Sequence, residues 1–174
     1  MSQHEMQPEA VRMLLRDHKR VTDLFFHFDQ SEEPTHKLSF AETAMNELAV
    51  HSIIEEELIY PLLANQEGME DEVEHSKHEH EEVDELMTQL VNRNEVDDEY
   101  CEIFGKLVEM VSHHIQEEED SLLPKLATVA DDQLAERMSE LKNELIKLDH
   151  DDEKETKFSP QVVLFKTLKE KRYA

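Results

Sequence analysis

Apolar side chains recur along this chain at alternating steps of three and four, the spacing that lines one face of an α-helix. Four such stripes can be written out. The first is Val11, Leu14, His18, Val21, Phe25 and Phe28. The second is Ala44, Leu48, His51, Glu55, Leu58 and Leu62. The third is Val73, Ser76, His80, Val83, Met87 and Leu90, and the fourth is Phe104, Leu107, Val111, His114, Glu118 and Leu122. They predict helices over about Pro8 to Asp29, Thr35 to Leu63, Met69 to Val91 and Asp97 to Leu126. The breaks are SEEPTH from Ser31, NQEG from Asn65 and NRNEVDD from Asn92, all rich in turn residues. Short connections between long helices make neighbours antiparallel. The expected fold is therefore all-α, an up-down-up-down antiparallel four-helix bundle over residues 1–128. A C-terminal helical extension, 129–174, is expected to pack on the bundle or on a partner. It starts with a fifth segment from about Asp131 to Leu148. A charged linker, LDHDDEKETK, follows from Leu148, then a short helix with Ser159 as N-cap and Pro160 in its first turn.

Each stripe carries one histidine where a core residue belongs, and the second and fourth also carry a glutamate one turn later on the same face. The stretches holding them are versions of one sentence: HSIIEEELIYP from His51 and HIQEEEDSLLP from His114, with Pro at the same offset. Asp17-His18, followed by Val21 and Leu24, is repeated as Glu79-His80, followed by Val83 and Leu86. The chain thus reads as two helical hairpins of one pattern, His then HxxxE in each.

Composition narrows the chemistry. Among 174 residues there are two Gly and no Trp, which suits helices, and the formal charge of −25 disfavours nucleic acid and anionic membranes as partners. Cys101 is the only cysteine, so neither an internal disulfide nor a thiolate cluster can form. No 18-residue apolar run and no secretory h-region is seen, and the expected location is cytoplasmic. No Ser/His/Asp or Cys/His nucleophile arrangement can be argued, and no phosphate-cradling glycine loop. Any catalysis would be redox chemistry at a metal.

Burying two ionised carboxylates beside four imidazoles costs several kcal/mol unless something compensates. Two metal ions do so. Imidazole nitrogen and carboxylate oxygen suit iron, manganese or zinc, and four imidazoles are the wrong donors for calcium. Four His shared between two metals, with each Glu bridging, leaves positions for water, hydroxide or a bridging oxygen, and for a small ligand. The candidate metal ligands are His18, His51, Glu55, His80, His114 and Glu118. His4, His27, His36 and His150 read as surface residues, while His75, His78 and His113 lie near the candidate ligands but off the stripe, His75 about one turn before His80. Asp17, Glu56, Glu79 and Glu119, which flank the candidate ligands, are expected to be solvated acids, with support of a ligand or the lining of an entry path as the alternative. Tyr60 belongs near the core without a readable role.

These residues resemble the hemerythrin-like family, also called the HHE cation-binding domain, over roughly residues 8–126. The resemblance rests on Asp17-His18, HSIIEEELIYP, Glu79-His80 and HIQEEEDSLLP. It implies a four-helix bundle around a non-haem di-iron centre, two iron ions with an oxo or hydroxo bridge, held by the six residues just named. Zinc or manganese can substitute. The oxygen carriers of that family have a further histidine four residues before the one matching His80, where this chain has Ser76. They also have an aspartate five after the one matching His114, where this chain has Glu119, and Glu118 has the four-residue spacing instead. The chain is therefore similar to the symmetric bacterial branch. The resemblance implies binding or sensing of O2, NO or peroxide, with iron handling, iron-centre repair or a metal-switched interaction module as alternatives. Pairing of two copies through the C-terminal extension is a further use open to it.

Overall fold

The structure is a computed structural model that describes residues 7–147 and Glu170. Among these residues there is no strand, and no helix is long and apolar enough to cross a membrane. The elements are α1 (Glu9–Gln30), α2 (Pro34–Ile54), a π-turn π1 (Glu55–Ile59), α3 (Tyr60–Ala64), α4 (Glu70–Val91), α5 (Asp98–Glu117), a second π-turn π2 (Glu118–Leu122), α6 (Leu123–Val129) and α7 (Asp132–Lys147). α2, π1 and α3 form one unbroken rod, as do α5, π2 and α6. The four rods make an antiparallel bundle of two hairpins.

Local chemistry explains the boundaries. Pro8 stands immediately before α1 and Pro34 at the start of α2, where a missing backbone N–H costs nothing. Asp97 caps α5, its carboxylate accepting from the Tyr100 amide at 2.8 Å. Gly68 turns the chain into α4 at φ 79°, a backbone conformation that suits glycine. One end of the bundle is closed by Phe25, Phe28, Tyr100 and Phe104, with the Phe28 and Phe104 rings 4.0 Å apart.

All six stripe residues of α1, of α4 and of the α5 rod are buried. The α2 rod departs from expectation. Leu58 and Leu62 are only half-buried, and Ile59 and Leu63 take their core positions. The cause is π1, whose wider turn advances the stripe by one residue.

α7 packs back across α1 and α2, burying Leu134, Met138 and Leu145. Each such side chain contributes about 1.5–3 kcal/mol. The predicted linker from Leu148 and the short helix from Ser159 lie outside the described residues.

Candidate metal centre

His18 projects from α1, His51 from α2, His80 from α4 and His114 from α5, and all four meet inside the bundle, none more than 6% exposed. Glu55 and Glu118 join them, each 1% exposed. Both glutamates open a π-turn. The amide of Tyr60 bonds the carbonyl of Glu55, and that of Leu123 the carbonyl of Glu118, five residues back instead of four. Pro61 and Pro124 follow at once. In a regular helix a proline ring clashes with the carbonyl four residues earlier, and the wider turn relieves that clash. The proline repeated in the sequence is thus the mark of a repeated π-turn.

The six side chains form two clusters. Ligand atoms of His18, His51, Glu55 and Glu118 lie within 4.8 Å of one another, as do those of Glu55, His80 and His114. Glu55 reaches both: Oε1 is 3.1 Å from His51 Nε2, and Oε2 is 3.3 Å from His80 Nε2. Glu118 does the same, with Oε2 3.3 Å from His18 Nε2 and Oε1 3.5 Å from His114 Nε2. Close as these contacts are, His18 Nε2, His51 Nε2 and Glu118 Oε2 make no aligned hydrogen bond. They converge on shared space instead of on each other. His80 Nε2 and His114 Nε2 stand 3.0 Å apart, a pair of ring nitrogens that needs a proton or a cation between them. Unsatisfied buried polar atoms cost about 1–3 kcal/mol each. A cation held by each cluster would remove that cost, and the nitrogen and oxygen donors suit iron, manganese or zinc.

The outward nitrogen of every ring is also held. His18 Nδ1 meets Glu119 at 2.9 Å, His80 Nδ1 meets Glu56 at 2.8 Å, and His114 Nδ1 meets Glu79 at 2.6 Å. His51 Nδ1 lies 3.5 Å from Asp17, whose other oxygen takes a 2.7 Å ion pair from Lys142 of α7. This corrects the expectation of solvated acids for Asp17, Glu56 and Glu79, whereas Glu119 is exposed and still meets His18. Their side chains are 14%, 21%, 13% and 40% exposed, and each fixes an imidazole. A carboxylate on the outer nitrogen leaves the inner one free to bind a cation and strengthens its donation. Burial pushes the carboxyls of Asp17 and Glu79 up, but the His51 and His114 bonds outweigh it and hold both below the usual range. Burial likewise opposes charge on His51. The nearby Glu55 charge and the Asp17 bond prevail and raise its pKa well above the usual value.

The sequence profile of the family described as Hemerythrin HHE cation binding domain matches residues 9–126. The chain belongs to this hemerythrin family. No curated protein matches it. Among solved structures, a hemerythrin HHE cation-binding domain-containing protein from Mycobacterium kansasii has the same fold. It is 16% identical, with a TM-score of 0.67 over 88% of this chain and 97% of the other. The matched region of this hemerythrin-family chain contains both clusters and the four outer acids.

Tyr60 is the residue the sequence could place but not interpret. It is 1% exposed and donates to Glu118 Oε1 at 2.9 Å, with its oxygen 3.2 Å from His80 Nε2. Burial, then the charges of Glu55 and Glu118, push its pKa well above 10, so it stays a protonated donor. Ser76, which stands four residues before His80 on α4, is also buried. The matching position in the second repeat is Leu123, so the centre is asymmetric: only the cluster with His80 and His114 has a phenol. On the other side of the four rings lies a cavity of about 30 Å³. Val21, Leu48, Val83, Met87 and Val111 make it mostly apolar, and buried Asp84 sits on its wall. Nothing in the spacing marked Asp84, which lies beside the stripe. The outer acids did carry a signal: Asp17 and Glu79 precede a histidine, and Glu56 and Glu119 follow a glutamate, at matching places in the two repeats.

Proposed function

We propose that this hemerythrin-family protein holds two iron ions between His18, His51, His80 and His114, with Glu55 and Glu118 bridging, and binds a small ligand such as O2, NO or peroxide beside them. The observation that carries the reading is the convergence of four inner ring nitrogens on two carboxylates that each reach both clusters. Bound iron would supply redox chemistry and an open coordination position. The protein's own part is to fix the rings through their outer nitrogens, to hold a phenol donor on one side and to keep an apolar cavity on the other. That cavity exceeds the roughly 10–15 Å³ that one water needs, and it suits a diatomic molecule.

Metal analysis tests this. About two irons per chain are expected, with a near-ultraviolet band that dithionite bleaches. A protein that binds no metal, and whose thermal stability is unchanged by His51→Ala, would remove the basis of the reading.

Tyr60→Phe removes one donor and no volume. The expected result is unchanged iron content but a shifted visible spectrum and altered reaction with NO or peroxide. The substitution also leaves Glu118 Oε1 without its closest donor, at a stability cost of about 1–3 kcal/mol. A spectrum identical to wild type would show that the phenol does not act on the centre.

A second reading, a metal-switched module, is supported by one chain of contacts. Lys142 of the extension holds Asp17, and Asp17 faces His51, so α7 reaches the centre through that carboxylate.

A further inference from the structure

The two hairpins repeat one another, but their outer faces differ. In the first, the acid beside the ligand histidine is Asp17, and Lys142 supplies it with a positive charge at 2.7 Å. Its surroundings at the repeat positions, Met13, Val50 and Ile54, are apolar, and α7 packs against the helices that carry them. In the second, the matching acid is Glu79, and the positions matching Met13, Val50 and Ile54 hold His75, His113 and Glu117.

His75 and Glu79 are four residues apart on α4, and His113 and Glu117 are four apart on α5, so each pair shares one helix face. The neighbouring helices bring the pairs together. Glu79 Oε1 is 3.5 Å from His75 Nε2 and 3.5 Å from His113 Nδ1. Glu117 Oε2 is 3.2 Å from His75 Nε2, and its Oε1 is 3.5 Å from His113 Nε2. Ligand atoms of His75, Glu79 and Glu117 already lie within 4.8 Å of one another. Glu79 is the fixed member: its side chain is 13% exposed, and its other oxygen is held by His114 at 2.6 Å. The two imidazoles and Glu117 are 57%, 65% and 44% exposed, so they are free to close on an ion arriving from solvent.

We propose that His75, Glu79, His113 and Glu117 form a surface site for one divalent transition-metal cation, separate from the buried centre. Two imidazoles with two carboxylates suit zinc or ferrous iron and disfavour calcium. The cation takes the place on the second hairpin that the Lys142 ammonium takes on the first. Because Glu79 serves both this ion and His114, filling the site shares that carboxylate between the surface and the centre.

The test uses Zn²⁺ as probe on the full chain, following binding by calorimetry and core metal by mass spectrometry of the same samples. The expected result is about one Zn²⁺ per chain beyond the core content, weakened about tenfold or more in H75A/H113A, with core metal unchanged. These residues are exposed, so the double variant keeps the fold. Equal Zn²⁺ affinity in the variant, or no extra ion in the wild type, overturns the surface site. Failure of the dinuclear reading looks different: the core content is lost while the ion sensitive to His75 and His113 persists.

Discussion

Glu118→Ala is expected to lower the metal content from about two ions per chain to about one or fewer, because this carboxylate belongs to both halves of the centre. It approaches His18 through one oxygen and His114 through the other, at 3.3 and 3.5 Å. Its removal also strips Tyr60 of its 2.9 Å acceptor inside the core, adding about 1–3 kcal/mol of destabilisation. Glu119→Gln, one residue on, is the informative contrast. Glu119 holds only the outer nitrogen of His18. Its loss should weaken metal affinity about 10–100-fold and leave the count intact at saturating metal. Metal analysis and titration of the two variants side by side check both statements. Equal metal loss in the two would contradict the division between inner and outer carboxylates.

Removing the metal with a chelator should lower the melting temperature and change its pH dependence. An ion present at about a hundred times its dissociation constant adds about 2.7 kcal/mol to stability, worth about 5–10 °C for a chain of this size. In the metal-free chain His51 has a raised pKa, so its contribution is full below about 6.5, its unfolded value, and is lost as pH rises through the folded one. Glu55 has a lowered pKa, held down against burial by His51 and His80. Its contribution is present above its unfolded value of about 4.5 and is lost as pH falls through the depressed one. The metal-free chain should therefore lose stability on the alkaline side. The loaded chain should not, since metal on the inner nitrogen of His51, as proposed, would replace that proton. Thermal melts of both forms across pH measure the difference, and parallel curves would contradict it.

Much of this arrangement was legible in the sequence because helical spacing is a strong constraint. Val11 through Phe28 and Val73 through Leu90 are buried as their steps require, and the polar residues on those stripes are the ones that converge. Leu58 and Leu62 were misplaced because period counting assumes a regular helix, and π1 adds a residue after Glu55. The acids beside the ligands were misread for a different reason. In a chain of charge −25 a carboxylate next to a histidine is unremarkable locally, and only the partner helix reveals that Glu79 serves His114 and not its neighbour His80. Tyr60 needed the π-turn as well, since that turn sets it above Glu55.

The assignment of histidines to hairpins bears on the order in which the molecule assembles. His18 and His51 belong to one hairpin and His80 and His114 to the other, whereas the Glu56–His80 and Glu119–His18 bonds run between hairpins. Helices pack more extensively within each hairpin than across the seam, so the hairpins are expected to form first and to dock last. Each half then brings a pair of imidazoles to the encounter, and the bridging carboxylates complete their spans only as the seam closes. Metal withheld during refolding should therefore leave protected amides within hairpins and slow, incomplete protection along the seam, a pattern that pulsed hydrogen exchange would resolve.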